Sequence, residues 1–199
     1  ATAGRRRPVV ANVSAMTAAE ILARTVAAYA TLSTYADEGA LIQRWDAPHV
    51  ETAIAFDTAF ARPRQFRFSW IARHPDPSLH HICWRSAIGS NDDGAWAWLL
   101  RDEAGSRCEA MSLTMAVASA TGISGGAALT IGRFLFPEID GFALGDLRSP
   151  TLAGVEDCEG IRCYRIAGTD PEFGPHDAWI GSADFLLRKL CTQAGDCRQ

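Results

Sequence analysis

No run of lysine or arginine interleaved with aromatic residues occurs along any predicted element, and the formal net charge is −4 with a pI near 5.7. The electrostatic footprint of a nucleic-acid binder is therefore missing. The one basic run, Arg5-Arg6-Arg7, precedes Pro8 in a segment without hydrophobic periodicity and reads as part of a disordered arm over residues 1–13. No CxxC pair is present, which removes zinc ribbons and thioredoxin-like redox motifs. There is no internal repeat and no linker rich in Pro, Gly or Ser, so the 199 residues, 48% hydrophobic, read as a single domain over 14–192 with a short tail at 193–199.

What is there instead is a long charge-free stretch, AMSLTMAVASATGISGGAALTIG, over residues 110–132. Its length would suffice to cross a bilayer, but ten of its residues are Gly, Ser or Thr, and Gly125-Gly126 sits mid-span where a helix is weakened. A transmembrane helix needs about 20 predominantly apolar residues, so the stretch reads as a pair of short helices broken near Gly122 and not as a membrane span. No Lys-Ser or Lys-Thr follows the glycines, which removes a phosphate-binding loop.

Before this stretch, Thr17 with Glu20 forms a capping box, followed by Ile21, Leu22, Val26, Tyr29 and Leu32 at helical spacing. The period then switches to two. Thr52, Ile54, Phe56 and Phe60 share one strand face, as do Phe66, Phe68 and Trp70, and, beyond a turn at SNDDG, Trp96, Trp98 and Leu100. After the stretch, strand signals return at SPTLAGVE, IRCYRIAGT, HDAWIG and FLLRKL, separated by Gly, Pro and Asp turns. The order is helix, antiparallel meander, apolar helical insert, second meander.

Six cysteines are many for a reducing compartment, and an even count with local pairs points to disulfides and an extracytoplasmic location, any signal peptide being absent from this chain. Cys158 with Cys163 spans an expected hairpin, and Cys191 with Cys197 an equally short segment. Cys83 and Cys108 are expected on strands flanking a third, about 10 Å apart, and both pairing and free thiols stay open for them.

Candidate chemistry is sparse. GISGG at residues 122–126 matches a nucleophile-elbow pattern, and Ser124 with Asp157 or Asp170 and His176 has the chain order of a hydrolase triad. That elbow needs a strand before the serine and a helix after it in a parallel sheet, whereas the flanks here read as helix on both sides. The plainer reading has Thr121-Gly122 ending one helix and Ser124 capping the next. Strand alternation sends His80 and His81 to opposite faces, so His80-His81 with Cys83 is no metal set, and no cofactor or metal is expected. No two carboxylates are forced onto one face as an acid and base.

An apolar insert paired with aromatic strand faces is the strongest signal. ARPRQFRFSW followed by NDDGAWAWLL resembles the strand and hairpin of the bacterial periplasmic lipoprotein-carrier (LolA-like) superfamily: Arg62-Pro63, the strand Phe66 to Trp70, the turn Asp93-Gly94, then Trp96 and Trp98, then the insert over 110–136. The resemblance covers roughly residues 19–190, and GVEDCEGIRCYRI points to the uncharacterised branch of that superfamily. It implies an α+β fold, an incomplete, strongly curved antiparallel β-barrel (half-barrel) covered by the N-terminal helix and the inserted helical lid. It also implies a noncatalytic protein of the periplasm, or otherwise extracytoplasmic, that binds lipid or lipoprotein acyl chains, with an envelope membrane complex as a further candidate partner; whether cargo is transferred or sensed stays open. The hydrophobic-ligand residues would be Phe56, Phe66, Phe68, Trp70, Trp96, Trp98, Met111, Met115, Leu129 and Phe134, with Arg62 as the lid latch. An insert rich in Ala and Gly implies a closely packed lid over a small cavity. A protein-interaction or sensor module on the same half-barrel is the alternative, with serine hydrolysis at Ser124 behind it.

Overall fold

The computed structural model describes residues 16–45, 50–73, 83–99, 106–110, 112–141 and 143–192. The arm at 1–13, the tail at 193–199, His80, His81, Leu100, Met111 and Cys197 fall outside them. The fold is α+β: among the described residues there are three α-helices and ten strands in two antiparallel sheets, neither closed into a barrel. The described residues of Thr25–Leu147 form one compact unit, and those of Ala1–Arg24 with Arg148–Gln199 form the other.

Helix α1 (Ala18–Thr31) begins where the capping box requires it. The Thr17 amide donates to Glu20 Oε2 at 2.7 Å, and the Glu20 amide donates to Thr17 Oγ1 at 3.2 Å, which satisfies two otherwise unpaired donors of the first turn. Its buried stripe is Ile21, Leu22, Thr25 and Tyr29, whereas Val26 faces outward. The expected stripe through Val26 instead runs from Ile21 through Thr25 to Tyr29 at i, i+4, i+8, and Val26, although four residues from the buried Leu22, lies beyond its margin.

The unit Thr25–Leu147 is built on a six-stranded sheet in sequential order, β1 (Thr34–Trp45), β2 (Val50–Ala61), β3 (Gln65–Arg73), β4 (Cys83–Asn91), β5 (Gly94–Leu99) and β6 (Ser106–Ala110). Register divides it into two faces. Across β2 to β4, Phe56 opposes Trp70, Thr58 opposes Phe68, Phe60 opposes Phe66 and Phe68 opposes Ile88, so these residues share one face. The insert forms α2 (Leu113–Thr121) and α3 (Ala127–Leu135), and α2 packs on β4, β5 and β6. Ala116, Val117 and Ala120 of α2 and Ala127, Ala128 and Gly132 of α3 are buried. Small residues allow this closeness: a Cβ on Gly132 would lie 3.4 Å from Val117. Among the described residues no helix is long and apolar enough to cross a membrane.

The other unit carries a four-stranded sheet in the order β10 (Leu187–Thr192), β9 (Gly174–Gly181), β8 (Ile161–Asp170) and β7 (Arg148–Cys158). Glu159 and Gly160, with φ of 54° and 81°, make the two-residue turn between β7 and β8, whose twist matches that of the flanking strands. Ile166, Ala178 and Ile180 form its buried face. Cys158 and Cys163 are free thiols, contrary to the bridge expected between them, and Cys191 is free among the described residues, its expected partner Cys197 lying outside them. The turn explains the first: Cys158 opposes Ile161 and Cys163 opposes Glu156, so the two cysteines are diagonal neighbours. Diagonal positions lie about 7–8 Å apart, beyond the reach of a disulfide without backbone movement. Cys83 and Cys108 fall on β4 and β6 with β5 between them, as expected.

Candidate functional site

The six-stranded sheet presents a covered aromatic face and an open one, and the candidate site residues divide between them. On the covered face Phe66, Phe68 and Trp70 are buried, Phe68 completely. Phe68 lies between Phe56, with ring centroids 5.4 Å apart, and Trp70, 5.7 Å away. Phe136, just past α3, meets Phe60 and Phe66 edge-on at 5.4 and 5.3 Å, which seals the insert directly onto the aromatics. Phe134 stacks on Tyr29 of α1 at 5.1 Å, and Leu129 is half-buried beside Gly141. Met115 points outward and is 50% exposed. The Ala- and Gly-rich insert packs closely, its small residues on α2 and α3 buried.

Arg62 holds the end of α1. Its Nε donates to the Leu32 carbonyl at 2.8 Å, and one terminal guanidinium nitrogen donates to the carbonyls of Ala30 at 3.1 Å and Tyr29 at 3.5 Å. The last turn of α1 contains no basic residue of its own, so Arg62, brought in by the β2–β3 turn, supplies the donors and the positive charge that a helix C-terminus attracts. The same guanidinium lies over the Phe60 ring at 5.2 Å. The hydrogen bonds of Arg62 thus run to α1 and to none of the described residues of the insert.

Polar groups beneath this face are few. Tyr35 donates its hydroxyl to Asp37 Oδ2 at 2.6 Å, and burial, followed by the neighbouring Tyr29 and the bond to Asp37, pushes the phenol far above its ordinary range. Tyr35 therefore stays a neutral donor. Ser124 sits between α2 and α3, fully buried, where its Oγ accepts from the Ala128 amide at 3.2 Å and donates to the Thr121 carbonyl at 3.3 Å. Its neighbours are helices and the sheet is antiparallel, so it occupies no strand-to-helix elbow; Gly126, and not the expected Ser124, is the N-cap of α3, and Ser124 reaches the Ala128 amide from two residues earlier. His176 lies in the four-stranded sheet with a ring nitrogen 2.8 Å from the Gly174 carbonyl. Among the described residues no three His, Cys, Asp or Glu side chains converge as metal ligands.

Trp96 and Trp98 lie on the other face. The turn at Asp92-Asp93 pairs Asn91 with Gly94, which sets Gly89 opposite Trp96 and Ala87 opposite Trp98. Ser90, opposite Phe66, belongs to the aromatic face, so Gly89 and its partner Trp96 belong to the opposite one. The two indoles border an open trough of about 760 Å³ whose floor and walls include Ala55, Ser69, Ile71, Ala87, Glu38 and Arg85. An ion pair crosses it: Arg67 bonds Asp57 at 2.6 Å, and the Ser69 hydroxyl donates to the other carboxylate oxygen at 2.6 Å. A Cβ on Gly89 would meet the Trp96 ring at 2.6 Å, which shows how closely that indole lies against β4. The sequence held one signal for this second face, the alternate positions Arg67, Ser69 and Ile71 between Phe66, Phe68 and Trp70.

No family model matches the chain, and no curated protein matches it. Among solved structures it is similar to a candidate outer membrane lipoprotein-sorting protein domain from Vibrio parahaemolyticus, at 11% identity, covering 89% of this chain and 72% of that one, with a TM-score of 0.37. It is similar also to a DUF1329 family protein from Desulfovibrio piger, at 14% identity, 89% and 72% coverage and a TM-score of 0.36. A third is a LolA superfamily protein from Nitrosomonas europaea, at 12% identity, 91% and 73% coverage and a TM-score of 0.31.

Proposed function

We propose that the chain is a noncatalytic protein of the cell envelope that takes up a hydrophobic ligand, an acyl chain of a lipid or lipoprotein, between the six-stranded sheet and the helices that cover it. One observation carries this reading: an exposed arginine of the β2–β3 turn, Arg62, ties the C-terminus of α1 down beside the aromatic sheet face. A cover of short helices built from Ala and Gly has little side-chain entropy to lose and can re-seat on the same face. On this reading Phe56, Phe66, Phe68, Trp70, Leu129 and Phe134 form the acyl-binding surface, and Arg62 sets the balance between covered and uncovered states. The periplasm, or another extracytoplasmic compartment, is where such cargo is exchanged with a membrane complex.

The test is titration with a fluorescent probe carrying an uncharged acyl chain. Hydrogen bonds from a charged group are worth about 1–3 kcal/mol, so Arg62→Leu is expected to shift the cover toward its open state and tighten probe binding roughly tenfold, with slower release. Arg62→Lys, which keeps the charge but not the fork, falls between the two. No saturable binding by the wild type or either variant defeats the proposal.

A further inference from the structure

The open face of the six-stranded sheet carries a second site that owes nothing to the cover. Register lays its side chains out in rows across the strands. One row runs Glu38, Asp57, Ser69, Ala87, Trp98. A second runs Ala36, Ala59, Arg67, Gly89, Trp96, and a third Ala40, Ala55, Ile71, Arg85. Ala87 and Gly89 on β4 and Ala55 and Ala59 on β2 keep the floor low on either side of the Arg67–Asp57 ion pair, with indoles on the β5 bank and carboxylates on the β1–β2 bank. Its volume of about 760 Å³ lies within the roughly 300–1,000 Å³ usual for small-molecule sites, which combine apolar walls with a few placed polar groups.

The charges decide what fits. Arg67 is neutralised by Asp57, which Ser69 holds in place. Arg85 has no hydrogen-bond or ion-pair partner among the described residues and stands opposite Ile71, two residues along β4 from Ala87, the partner of Trp98. Arg85 is exposed, with Ile71 opposite it and Ala87 two residues along its strand, so it presents a charge-assisted hydrogen-bond donor to an anion at the edge of an apolar patch. Glu38 lies three strands away, about 14 Å by strand spacing, and repels an anion bound in the reverse sense.

We infer that this trough binds a single-chain anionic amphiphile, with the acyl chain over Ala55, Ser69, Ala87 and Gly89 against Trp96 and Trp98, and the carboxylate on Arg85. The site is independent of the covered face. Isothermal titration of the whole chain with laurate below its micelle concentration is the experiment. Wild type is expected to show saturable binding, weakened roughly ten- to a hundredfold by Arg85→Gln, partly restored by Arg85→Lys, and weakened severalfold by Trp98→Ala. Arg162→Gln, an exposed arginine of the other sheet, removes the same charge and is expected to leave the isotherm unchanged. Laurate binding indifferent to both Arg85→Gln and Trp98→Ala overturns the inference while leaving the covered-face reading intact. Binding of dodecyltrimethylammonium as tight as that of laurate overturns it as well, because the site then reads the chain and not the charge.

Discussion

Phe68 and Trp98 differ in one decisive respect, the face of the sheet on which they stand, and truncating each to alanine reads that difference as stability. Phe68 is fully buried, with Phe56 and Trp70 rings at 5.4 and 5.7 Å and Thr58 and Ile88 as its cross-strand partners. Phe68→Ala loses the transfer free energy of the ring and leaves a cavity beneath the helices, for about 3–5 kcal/mol. Trp98 is half-buried at the open trough. Its truncation forfeits roughly half of the 150–250 Å² an indole can bury, which at about 25 cal/mol per Å² is about 2–3 kcal/mol, and water refills the space without adding a cavity term. Equilibrium urea unfolding followed by far-UV circular dichroism measures both. Had both residues faced one core, the larger Trp98 would cost at least as much as Phe68. A Trp98→Ala loss equal to or above that of Phe68→Ala refutes the division of the sheet into covered and open faces.

Two further outcomes are expected. Gly89→Ala places a Cβ 2.4 Å from the Phe66 carbonyl oxygen of the adjacent strand, which forces backbone to move and costs about 1–3 kcal/mol, whereas Gly154→Ala meets nothing within 4 Å and gains about 0.5–1 kcal/mol by removing a glycine from a strand interior; thermal melts of the two variants should move in opposite directions. The Glu20 carboxylate is held below its ordinary pKa, first by the Thr17 amide and then by the Thr17 hydroxyl, so its contribution to α1 is complete above the ordinary value and is lost as pH falls through the lowered one; an NMR titration should place Glu20 below an unstructured glutamate, and Glu20→Gln should abolish the acid-side fraying of α1.

Much of the architecture was written in local signals. The capping box at Thr17 and Glu20 starts α1, the period-two runs mark the strands of both meanders, and the glycines at 122, 125 and 126 break the insert into two helices, each a matter of a few neighbouring residues. What could not be read was long-range. Strand β1 carries no clear period-two signal, because its covered-face positions, Tyr35, Asp37, Gly39 and Leu41, do not alternate cleanly with Ala36, Glu38 and Ala40. Trp96 and Trp98 were grouped with Phe66 and Phe68 because all are aromatic, yet a side chain's face on β5 is set by the count of turn residues at Asp92-Asp93, and one residue more would reverse it. Cys158 and Cys163 are near in sequence, but the tight Glu159-Gly160 turn makes them diagonal and not opposite.

Under the two proposals, the two faces offer different energetic routes to a ligand. Entry beneath the helices must break the edge-on contacts of Phe136 with Phe60 and Phe66, each worth about 0.5–1.5 kcal/mol beyond its buried area, together with whatever Arg62 contributes at the end of α1. Apparent affinity there is the intrinsic affinity reduced by the fraction of open molecules, so strengthening the seal weakens binding even when every acyl contact is kept. The trough carries no such penalty, since its indoles and Arg85 already stand at the surface, but it also lacks enclosure, and its affinity rests on a few contacts made in partial contact with water. A substitution that loosens the cover should therefore raise affinity on one face and leave the other untouched, which makes the two sites separable in a single protein by mutation alone.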